Sequence, residues 1–416
     1  MRHVLKGGRI YCPEDGWNTV GDVWIVDGVI EGIYTSDGDG APSIPDSTTV
    51  VDCKGKWIVP GLVDVRTFCG ELGVQHRETF DTLTAAAMAG GYTDLVLGPW
   101  GAPCVDNPAV VTDLLARSAK YPIRYHALGS LTTGLDGEEI AELGLMQRAG
   151  IVGLCDGNRP IASTVVLRRA LQYAERLGLP VFLTPSDPDL RSEGVMHEGA
   201  VSTRIGLAGI PLASEEIGVS RIRAVQRDTE VKCCTLPIGD AVTISGMSDV
   251  VCATTARSLL LSDASVECDL YNPSLYILPP IRSRPEGLAD AVKNNQIQIV
   301  FSDHKPLTRV EQDCEFALSV SGAMGIETAL SVAYTAVQDI SVLWEAMCFA
   351  PARFLGLSKR LHVGSNVDIV LFDPSMEWSP STPFRSKGIN EPLIGKTLLG
   401  RICGVFINDY VHFYYD

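Results

Sequence analysis

The sequence lacks the features that would place it in a membrane or on a nucleic acid. It has no apolar run of the roughly 18 residues that a bilayer span needs, and its N-terminus shows no signal-peptide core. Basic residues are too few to balance the acidic ones, so the net charge is −16. A uniformly negative field disfavours nucleic acid and anionic membranes as partners. We therefore expect a cytoplasmic globular protein.

Cysteine pairs with the spacing of a zinc site are also absent. The twelve cysteines are scattered, none forms a Cys-x-x-Cys pair, and most lie in apolar stretches. Cys233 and Cys234 are adjacent, so in a strand their side chains would face opposite ways. We expect reduced, buried thiols that act as small hydrophobic side chains.

What the sequence does contain is an alternation of strand and helix patterns, framed by strands at both ends. Residues 2–57 and those after about Gly364 read as short strands and turns, with a Gly- and Pro-rich loop at Asp37–Pro45. Between them, apolar strands alternate with helical stretches. The strands predicted there are Thr93–Gly98, Ile123–Gly129, Val152–Cys155, Pro180–Thr184, Glu230–Thr235, Val266–Asp269 and Ile297–Ser302.

This alternation predicts an α/β fold. We expect a (β/α)8 barrel with a small β-sandwich domain built from both termini. The expected boundaries are residues 1–57 for the N-terminal part of the β-domain, 58–356 for the barrel, and 357–416 for the C-terminal part of the β-domain.

Short motifs occur in a fixed order over nearly the whole chain. They are PGLVD at Pro60–Asp64, AAAMAGGYT at Ala85–Thr93, LPPIR at Leu278–Arg282, SDHKP at Ser302–Pro306, GIETAL at Gly325–Leu330, APARFLGL at Ala350–Leu357 and NVDIVLFDP at Asn366–Pro374. Each motif alone is weak. Together, and in this order, they resemble the class I dihydroorotases of the amidohydrolase superfamily.

That resemblance implies a metal hydrolase. Members of the family bind one or two zinc ions and open or close a six-membered dihydropyrimidine ring. The metal lowers the pKa of a bound water, and an aspartate at the end of a barrel strand acts as general base and acid. Such a site takes histidines from several strands at the carboxyl-terminal mouth of the barrel.

Most of the side chains that the resemblance requires are missing. The run at 59–73, VPGLVDVRTFCGELG, has Arg66 and Phe68 where two metal-binding histidines would stand. Arginine stays protonated and phenylalanine has no lone pair, so neither binds a divalent cation. Two other positions that the resemblance assigns to histidines hold Thr184 and Thr235. Three positions that it assigns to substrate contacts hold Gly70, Trp100 and Leu307.

Two aspartates remain at matching positions. Asp303 aligns with the catalytic aspartate of the family, as a vestige of it, and Asp156 lies close to the metal-side aspartate. A lone carboxylate does not hold zinc, because roughly three or four converging ligands are typical. We therefore expect no metal and no cofactor, although active family members bind zinc.

The seven histidines offer few replacements for the missing ligands. We expect His304 to point away from Asp303 and His126 to be a hydrogen-bonded core residue. His76 and His197 are predicted in loops or turns near the mouth, where a metal-binding role is the less favoured alternative. Trp100 is expected to plug the pocket, with stacking on a ligand as the alternative.

Arg66 and Asp303 form the sharpest hypothesis. In the family, the first histidine of the pair and the aspartate of strand eight approach the same metal, so these two residues are predicted to face each other. A guanidinium would then replace the positive charge of the metal and keep Asp303 ionised. The alternative is that both side chains are solvated at an open mouth.

The changed positions favour a dihydroorotase-like protein of pyrimidine biosynthesis that is not an enzyme. The resemblance implies one partner, aspartate transcarbamoylase, and a homodimer is the default assembly. One alternative is an active cyclic amidohydrolase, which hydrolyses a cyclic amide C–N bond, with an unusual metal site. Another is a sensor of small anions that bind to Arg66.

Overall fold

The centre of the molecule is a barrel of parallel strands. The structure is a computed structural model that describes residues 1–35, 42–247 and 249–414. We number as barrel strands 1 to 8 the segments Leu62–Thr67, Tyr92–Leu97, Arg124–Gly129, Gly153–Cys155, Val181–Leu183, Cys233–Thr235, Val251–Thr255 and Ile299–Phe301. Consecutive strands pair in chain order, which is the arrangement expected of a (β/α)8 barrel.

Two hydrogen bonds join barrel strand 1 and the residue after it to the residues that follow barrel strand 8, and so bring the two sides of the barrel together. The backbone N–H of Phe68 donates to the carbonyl of His304 at 3.0 Å, and that of Ser302 donates to the Asp64 carboxylate at 2.7 Å. The barrel interior is packed with buried apolar side chains from many strands, among them Val63, Val96, Leu128, Cys155, Phe182, Cys234, Ala253 and Phe301. The interior is therefore a solid core, so any site must lie at an end of the barrel.

The strands at the two termini pair into one eight-stranded sheet, as the sequence predicted for the β-domain. Across the sheet, the order is Tyr410–Phe413, Leu398–Ile407, Asp368–Trp378, Trp57–Pro60, Arg2–Cys12, Trp17–Val26 and Val29–Thr35, with Thr49–Asp52 paired to Arg2–Cys12. Part of the predicted loop Asp37–Pro45 lies outside the described residues.

Helices surround the barrel, and short turns of 3-10 helix connect many elements. The α-helices are Phe80–Ala89, Pro108–Ser118, Leu143–Ala149, Thr164–Leu177, Pro188–Arg191, Ala200–Ile205, Leu212–Gln226, Ala264–Cys268, Pro285–Lys293, Arg309–Gln312, Ala329–Val337, Ile340–Trp344 and Ala350–Leu355. A π-helical turn, Glu345–Phe349, joins the last two. Met196–His197 and Gly209–Ile210 form a separate two-stranded sheet. In the parts of the chain that the structure describes, no helix is long and apolar enough to cross a membrane.

One predicted strand is wrong. Val266–Asp269 was expected to be a barrel strand, but this stretch belongs to the helix Ala264–Cys268 and its C-cap. The seventh barrel strand is Val251–Thr255, which pairs with barrel strands 6 and 8. A buried strand of the barrel needs several apolar side chains in a row. In the helix that contains VECD only Val266 is buried, so this segment lacks the apolar run of a barrel strand.

An ionic cluster, in which Asp94 and Lys359 are buried and Arg124 is exposed, joins the amino-terminal end of the barrel to the terminal sheet. We call Asp94, Arg124, Lys359 and Asp368 the base cluster. The Nζ of Lys359 lies 2.5 Å from Asp94 and 2.8 Å from Asp368, and Nη2 of Arg124 lies 2.6 Å from Asp94 and also contacts Asp368. Two cations thus face two carboxylates, so that the charges cancel where the two parts of the fold meet.

Candidate functional site

An irregularity in barrel strand 1 aims Arg66 into the barrel. Asp64 pairs with Leu95 and Thr67 pairs with Leu97, so barrel strand 1 has one residue more than barrel strand 2 between these points. A bulge of this kind changes the direction of the side chains that follow it. As a result, both Val65 and Arg66 are completely buried.

The guanidinium of Arg66 meets the carboxylate of Asp303, as the sequence predicted. Nη2 of Arg66 donates to Oδ1 of Asp303 at 2.8 Å, although the two residues are 237 positions apart in the chain. Arg66 has no exposed surface and Asp303 is only 9% exposed. The alternative of two solvated side chains at an open mouth is therefore wrong.

A second arginine, which the sequence reasoning missed, completes this group. Arg257 lies just after barrel strand 7 and is buried; its Nη1 is 3.4 Å from Oδ2 of Asp303. Its Nη2 donates to the carbonyl oxygens of Ser302 at 2.7 Å and of Asp303 at 3.1 Å. We call Arg66, Arg257 and Asp303 the mouth cluster. The misplaced seventh strand concealed Arg257, because that residue could not be recognised as the end of a barrel strand.

The electrostatics of the mouth cluster keep Asp303 ionised. Burial alone would raise the pKa of Asp303, but the Arg66 and Arg257 guanidinium groups outweigh that effect and hold it below the ordinary value. The backbone of Asp303 has φ of 47°, in the left-handed region that few residues other than glycine adopt. Burial also lowers the pKa of the neighbouring Lys305 to about 8, against the opposing charge of Asp303.

The remaining face of Arg66 is covered by aromatic rings. Its guanidinium carbon lies 5.2 Å from the ring centre of Phe301 and 5.8 Å from that of Trp100. Trp100 also packs toward Phe68 at 6.4 Å between ring centres, and a Cβ on Gly157 would lie 2.4 Å from its Nε1. Trp100 thus covers Arg66 as a plug, and no surface of that guanidinium is exposed to a ligand. This packing argues against a sensor that binds anions at Arg66.

Two donors of Arg66 lack an oxygen acceptor among the residues that the structure describes. Its Nε and Nη1 are buried, and the polar side chain that interacts with Arg66 on that side is the Cys155 thiol, a weak acceptor. The Cys155 thiol lies close enough for the Arg66 charge to oppose the burial that raises its pKa to about 11. The arginine is therefore held by one carboxylate and by ring faces, not by a full set of acceptors.

Asp156 does not join the mouth cluster. Its Oδ1 accepts hydrogen bonds from the backbone N–H groups of Leu131 and Thr132, at 2.7 and 3.0 Å, and its Oδ2 accepts one from the Thr132 hydroxyl at 2.6 Å. These three bonds hold the loop after barrel strand 3. The structure gives Asp156 a loop-fixing position.

The two threonines at former histidine positions have local hydrogen bonds. The Thr184 hydroxyl donates to the carbonyl of Gly157 at 2.7 Å. The Thr235 hydroxyl is buried and lies 3.4 Å from the carbonyl of Val251 and 3.5 Å from the Cys252 thiol. Neither side chain is recorded in contact with Asp303 or Arg66 among the described residues, and a hydroxyl is a weak ligand for zinc.

Gly70 and Leu307, at positions where the family resemblance implies substrate contacts, pack against neighbouring residues of the chain. A Cβ on Gly70 would lie 2.2 Å from the carbonyl oxygen of Glu78, so no larger residue fits there without a shift of the backbone. Leu307 is fully buried, and its N–H donates to the side chain of Asn390 at 2.9 Å. Neither position presents a polar side chain to a ligand.

The histidines do not converge either. His304 is buried and its Nε2 lies 3.3 Å from Glu78, and His126 bonds to Asp94 at 2.9 Å. His197 bonds to Arg282 at 3.0 Å, and His76 is exposed. In residues 1–35, 42–247 and 249–414, no group of three His, Cys, Asp or Glu side chains has the geometry to hold a metal ion. The donor set at the mouth does not fit zinc.

Comparison with known proteins gives the chain its relatives. Residues 55–227 match the sequence family described as Dihydro-orotase-like. The chain is 35% identical over 421 residues to a protein named Dihydroorotase from Pelotomaculum thermopropionicum, with 96% of each chain covered. It is 33% identical to a protein of the same name from Anaeromyxobacter dehalogenans, with 95% of this chain and 94% of the relative covered.

Solved structures show the same architecture. The L-hydantoinase (dihydropyrimidinase) from Arthrobacter aurescens superposes with a TM-score of 0.84 at 20% identity, over 98% of this chain and 95% of that one. Dihydropyrimidinase from Brevibacillus agri superposes with a TM-score of 0.80, also at 20% identity. At this identity the likeness establishes the fold, a barrel with a β-domain formed by both termini, and nothing finer.

Proposed function

The chain belongs to the dihydroorotase-like family of cyclic amidohydrolases, and from that premise we propose that it is a non-catalytic member. It retains the fold of the family without a metal centre or a substrate-binding shell. We further propose that it acts in pyrimidine biosynthesis as a structural or regulatory partner of aspartate transcarbamoylase, and that it is a homodimer.

The observation that carries the proposal is the Arg66–Asp303 ion pair. Asp303 is the family's catalytic carboxylate by position, and here it is 2.8 Å from a guanidinium that is completely buried. A divalent cation at this carboxylate would meet the permanent charges of Arg66 and Arg257 at close range. The carboxylate is also a weak base, because both arginines lower its pKa and therefore its affinity for a proton.

A role in binding a partner is consistent with the rigid barrel that the chain retains. The barrel is closed and its core is filled, so a rigid outer surface persists although the mouth is occupied by Arg66, Phe68 and Trp100. A specific interface needs only about 800 Å² on each partner. The link to aspartate transcarbamoylase comes from the family resemblance, and a direct binding test must decide it.

The test combines catalysis, metal content and binding. We expect the purified chain to hold far less than one zinc per molecule, to leave dihydroorotate unhydrolysed, and to bind aspartate transcarbamoylase of the same organism in sedimentation velocity. Asp303→Asn is the matched control: it should leave the partner complex unchanged. Absence of binding at micromolar concentrations would contradict the partner role, whatever the activity.

An active cyclic amidohydrolase is the second candidate, and the names of the full-length relatives favour it. It requires metal ligands other than those of the family. Stoichiometric zinc together with dihydroorotate turnover that is lost in Asp303→Asn would establish this candidate and overturn the non-catalytic proposal.

A further inference from the structure

A polar pocket lies between the terminal sheet and two of the helices that surround the barrel. Its walls come from the end of the helix Phe80–Ala89, the start of the helix Ala329–Val337, the strand Leu398–Ile407 and the segment 378–385. We call it the sheet–helix pocket. Its volume is about 190 Å³, whereas a single water needs only about 10–15 Å³, so a molecule of several heavy atoms fits. No residue of the mouth cluster lines it.

Arg401 brings a guanidinium to this pocket on a rigid support. It belongs to the strand Leu398–Ile407, and its guanidinium carbon lies 4.1 Å from the ring centre of Trp378. The indole Nε1–H donates to the Ser331 hydroxyl and to the Gly400 carbonyl, each at 3.1 Å. The ring is therefore fixed, and the cation–π contact positions Arg401 before any ligand arrives.

Arg385 supplies a second guanidinium. Its guanidinium carbon lies 4.8 Å from the ring centre of Tyr414, and its Nη1 is 3.6 Å from Oε2 of Glu327. Oε1 of Glu327 accepts the backbone N–H groups of Arg385 and Ser386, at 2.9 and 3.1 Å, so this carboxylate holds the loop. The charged residues that line the pocket are Arg385, Arg401 and Glu327, which leaves an excess of one positive charge. In a chain with a net charge of −16, a cavity of this sign favours an anion.

Three hydroxyl groups complete the polar lining. Ser379, Ser381 and Thr382 are exposed, and their hydroxyls make no hydrogen bond to any residue that the structure describes. Each can donate to a ligand oxygen, as the two arginines can. The pocket is therefore rich in hydrogen-bond donors, and the carboxylate that lines it is already bonded to the backbone.

These donors match a phosphate group better than a carboxylate. A carboxylate offers two oxygens in one plane, whereas a phosphate monoester offers three terminal oxygens and close to two negative charges at neutral pH. The donors of the pocket come from a strand and from the segment 378–385, so they approach from more than one direction. Polar groups predominate in the lining, so the organic part of the ligand should also be polar.

We propose that the sheet–helix pocket binds a small phosphate monoester with a hydroxyl-bearing organic part. The phosphate oxygens accept from Arg385, Arg401 and the Ser381 hydroxyl, and the organic part occupies the remaining space beside the other hydroxyls. Inorganic phosphate can make the first set of contacts and lacks the second. The binding uses neither a metal nor the mouth cluster, so it does not depend on the proposed function.

Isothermal titration of the full chain in a phosphate-free buffer tests the proposal, at about pH 7.5, where the monoester is doubly ionised. The probes are glycerol 3-phosphate, inorganic phosphate and glycerol. We expect one glycerol 3-phosphate per chain, with inorganic phosphate about threefold weaker because the contacts of the organic part are lost. Glycerol alone should not bind, since it carries no charge for the arginines.

Variants assign the contacts. Arg401→Gln and Arg385→Gln should each weaken glycerol 3-phosphate by about tenfold or more, because a charge-assisted bond is removed, and Ser381→Ala by about threefold. Arg9→Gln is the matched control. Arg9 is an exposed arginine of the same sheet that stacks on Trp57 at 5.1 Å, but it does not line the pocket, so binding should match that of the unmodified chain.

Each outcome supports or overturns the proposal. No saturable binding of glycerol 3-phosphate in the millimolar range would overturn it. So would unchanged affinity in Arg385→Gln and Ser381→Ala, with circular dichroism that shows folded chains; Ser381 is exposed, so its variant should fold even where an arginine variant does not. Equal affinity for glycerol 3-phosphate and inorganic phosphate would refute the monoester as the ligand.

Discussion

The two ends of the barrel carry ionic clusters that are built differently. In the base cluster, Lys359 and Arg124 face Asp94 and Asp368, and each cation contacts both carboxylates. In the mouth cluster, two guanidinium groups share the single carboxylate of Asp303. The base cluster is balanced in charge, and the mouth cluster carries an excess of one positive charge.

The difference distinguishes the base cluster, which joins two parts of the fold, from the mouth cluster, which we propose to be a former reaction centre. At the base, two cations pair with two carboxylates where the barrel meets the terminal sheet, and these ion pairs hold the two parts of the fold together. At the mouth, two donors of Arg66 lack an oxygen acceptor among the described residues, and at the base Oδ1 of Asp368 lacks a donor. Unpaired buried atoms thus occur in both clusters, and the clusters differ in charge balance. The excess positive charge at the mouth is consistent with an arginine that stands where a metal ion would be in the family.

The base cluster should be the more costly one to break. Lys359→Met leaves Asp94 and Asp368 buried with Arg124 as their shared strong cation, so we expect a loss of about 4 kcal/mol in the free energy of unfolding, measured by urea titration. Arg168→Met removes an exposed pair with Asp228 instead and should cost less than about 1 kcal/mol. Equal losses for the two variants would contradict the structural assignment of the base cluster.

A carboxyl group beside the mouth cluster should make stability depend on pH near neutrality. Burial raises the pKa of Glu391 to about 7, although the Arg257 charge opposes this. Because the folded pKa is above the unfolded value, its contribution is complete below about pH 4.5 and is lost as the pH rises through about 7, with a change of about 3 kcal/mol. Glu391→Gln should remove this slope between pH 5 and 8.

The control for Glu391 is the exposed Glu31. Glu31→Gln should leave the pH dependence of the melting temperature as it is in the unmodified chain. A slope that persists unchanged in Glu391→Gln would show that Glu391 is ionised in the folded protein at all these pH values.

The smallest effect is expected at Arg66. Arg66→Met leaves Asp303 with Arg257, so the loss should be about 2 kcal/mol, less than for Lys359→Met. Adding Asp303→Leu should recover stability, since an apolar pair replaces an ionic one without leaving a lone charge. Urea unfolding of the two single variants and the double variant gives the coupling energy. A double variant less stable than either single variant would contradict a dispensable pair.

Much of the architecture was readable from the sequence. Six of the seven predicted strand segments between Thr93 and Ser302 overlap observed barrel strands. The strand patterns at both ends were likewise recognised, because apolar runs bounded by glycine, proline and polar residues are local signals. The misplaced seventh strand shows the limit of such signals. Val251–Thr255 contains two threonines and is short, so only its pairing with neighbouring strands defines it as part of the barrel.

Some contacts at the site could not be read from any local pattern. Asp156 looked like a remnant of a metal site, yet it fixes the loop at Leu131 and Thr132. A sequence shows which side chains are available, but the distance between them depends on how the strands are wound.

The sequence by itself determined which chemistry is unavailable. Arginine, phenylalanine and threonine do not ligate zinc well at any position, because ligation depends on the lone pairs and protonation of the side chain itself. Only the tertiary structure decided what the remaining groups do. It brought Arg66 to Asp303 across 237 residues and added Arg257 from the turn that follows barrel strand 7. Those pairings depend on the closure of the barrel, which brings the first and last barrel strands side by side.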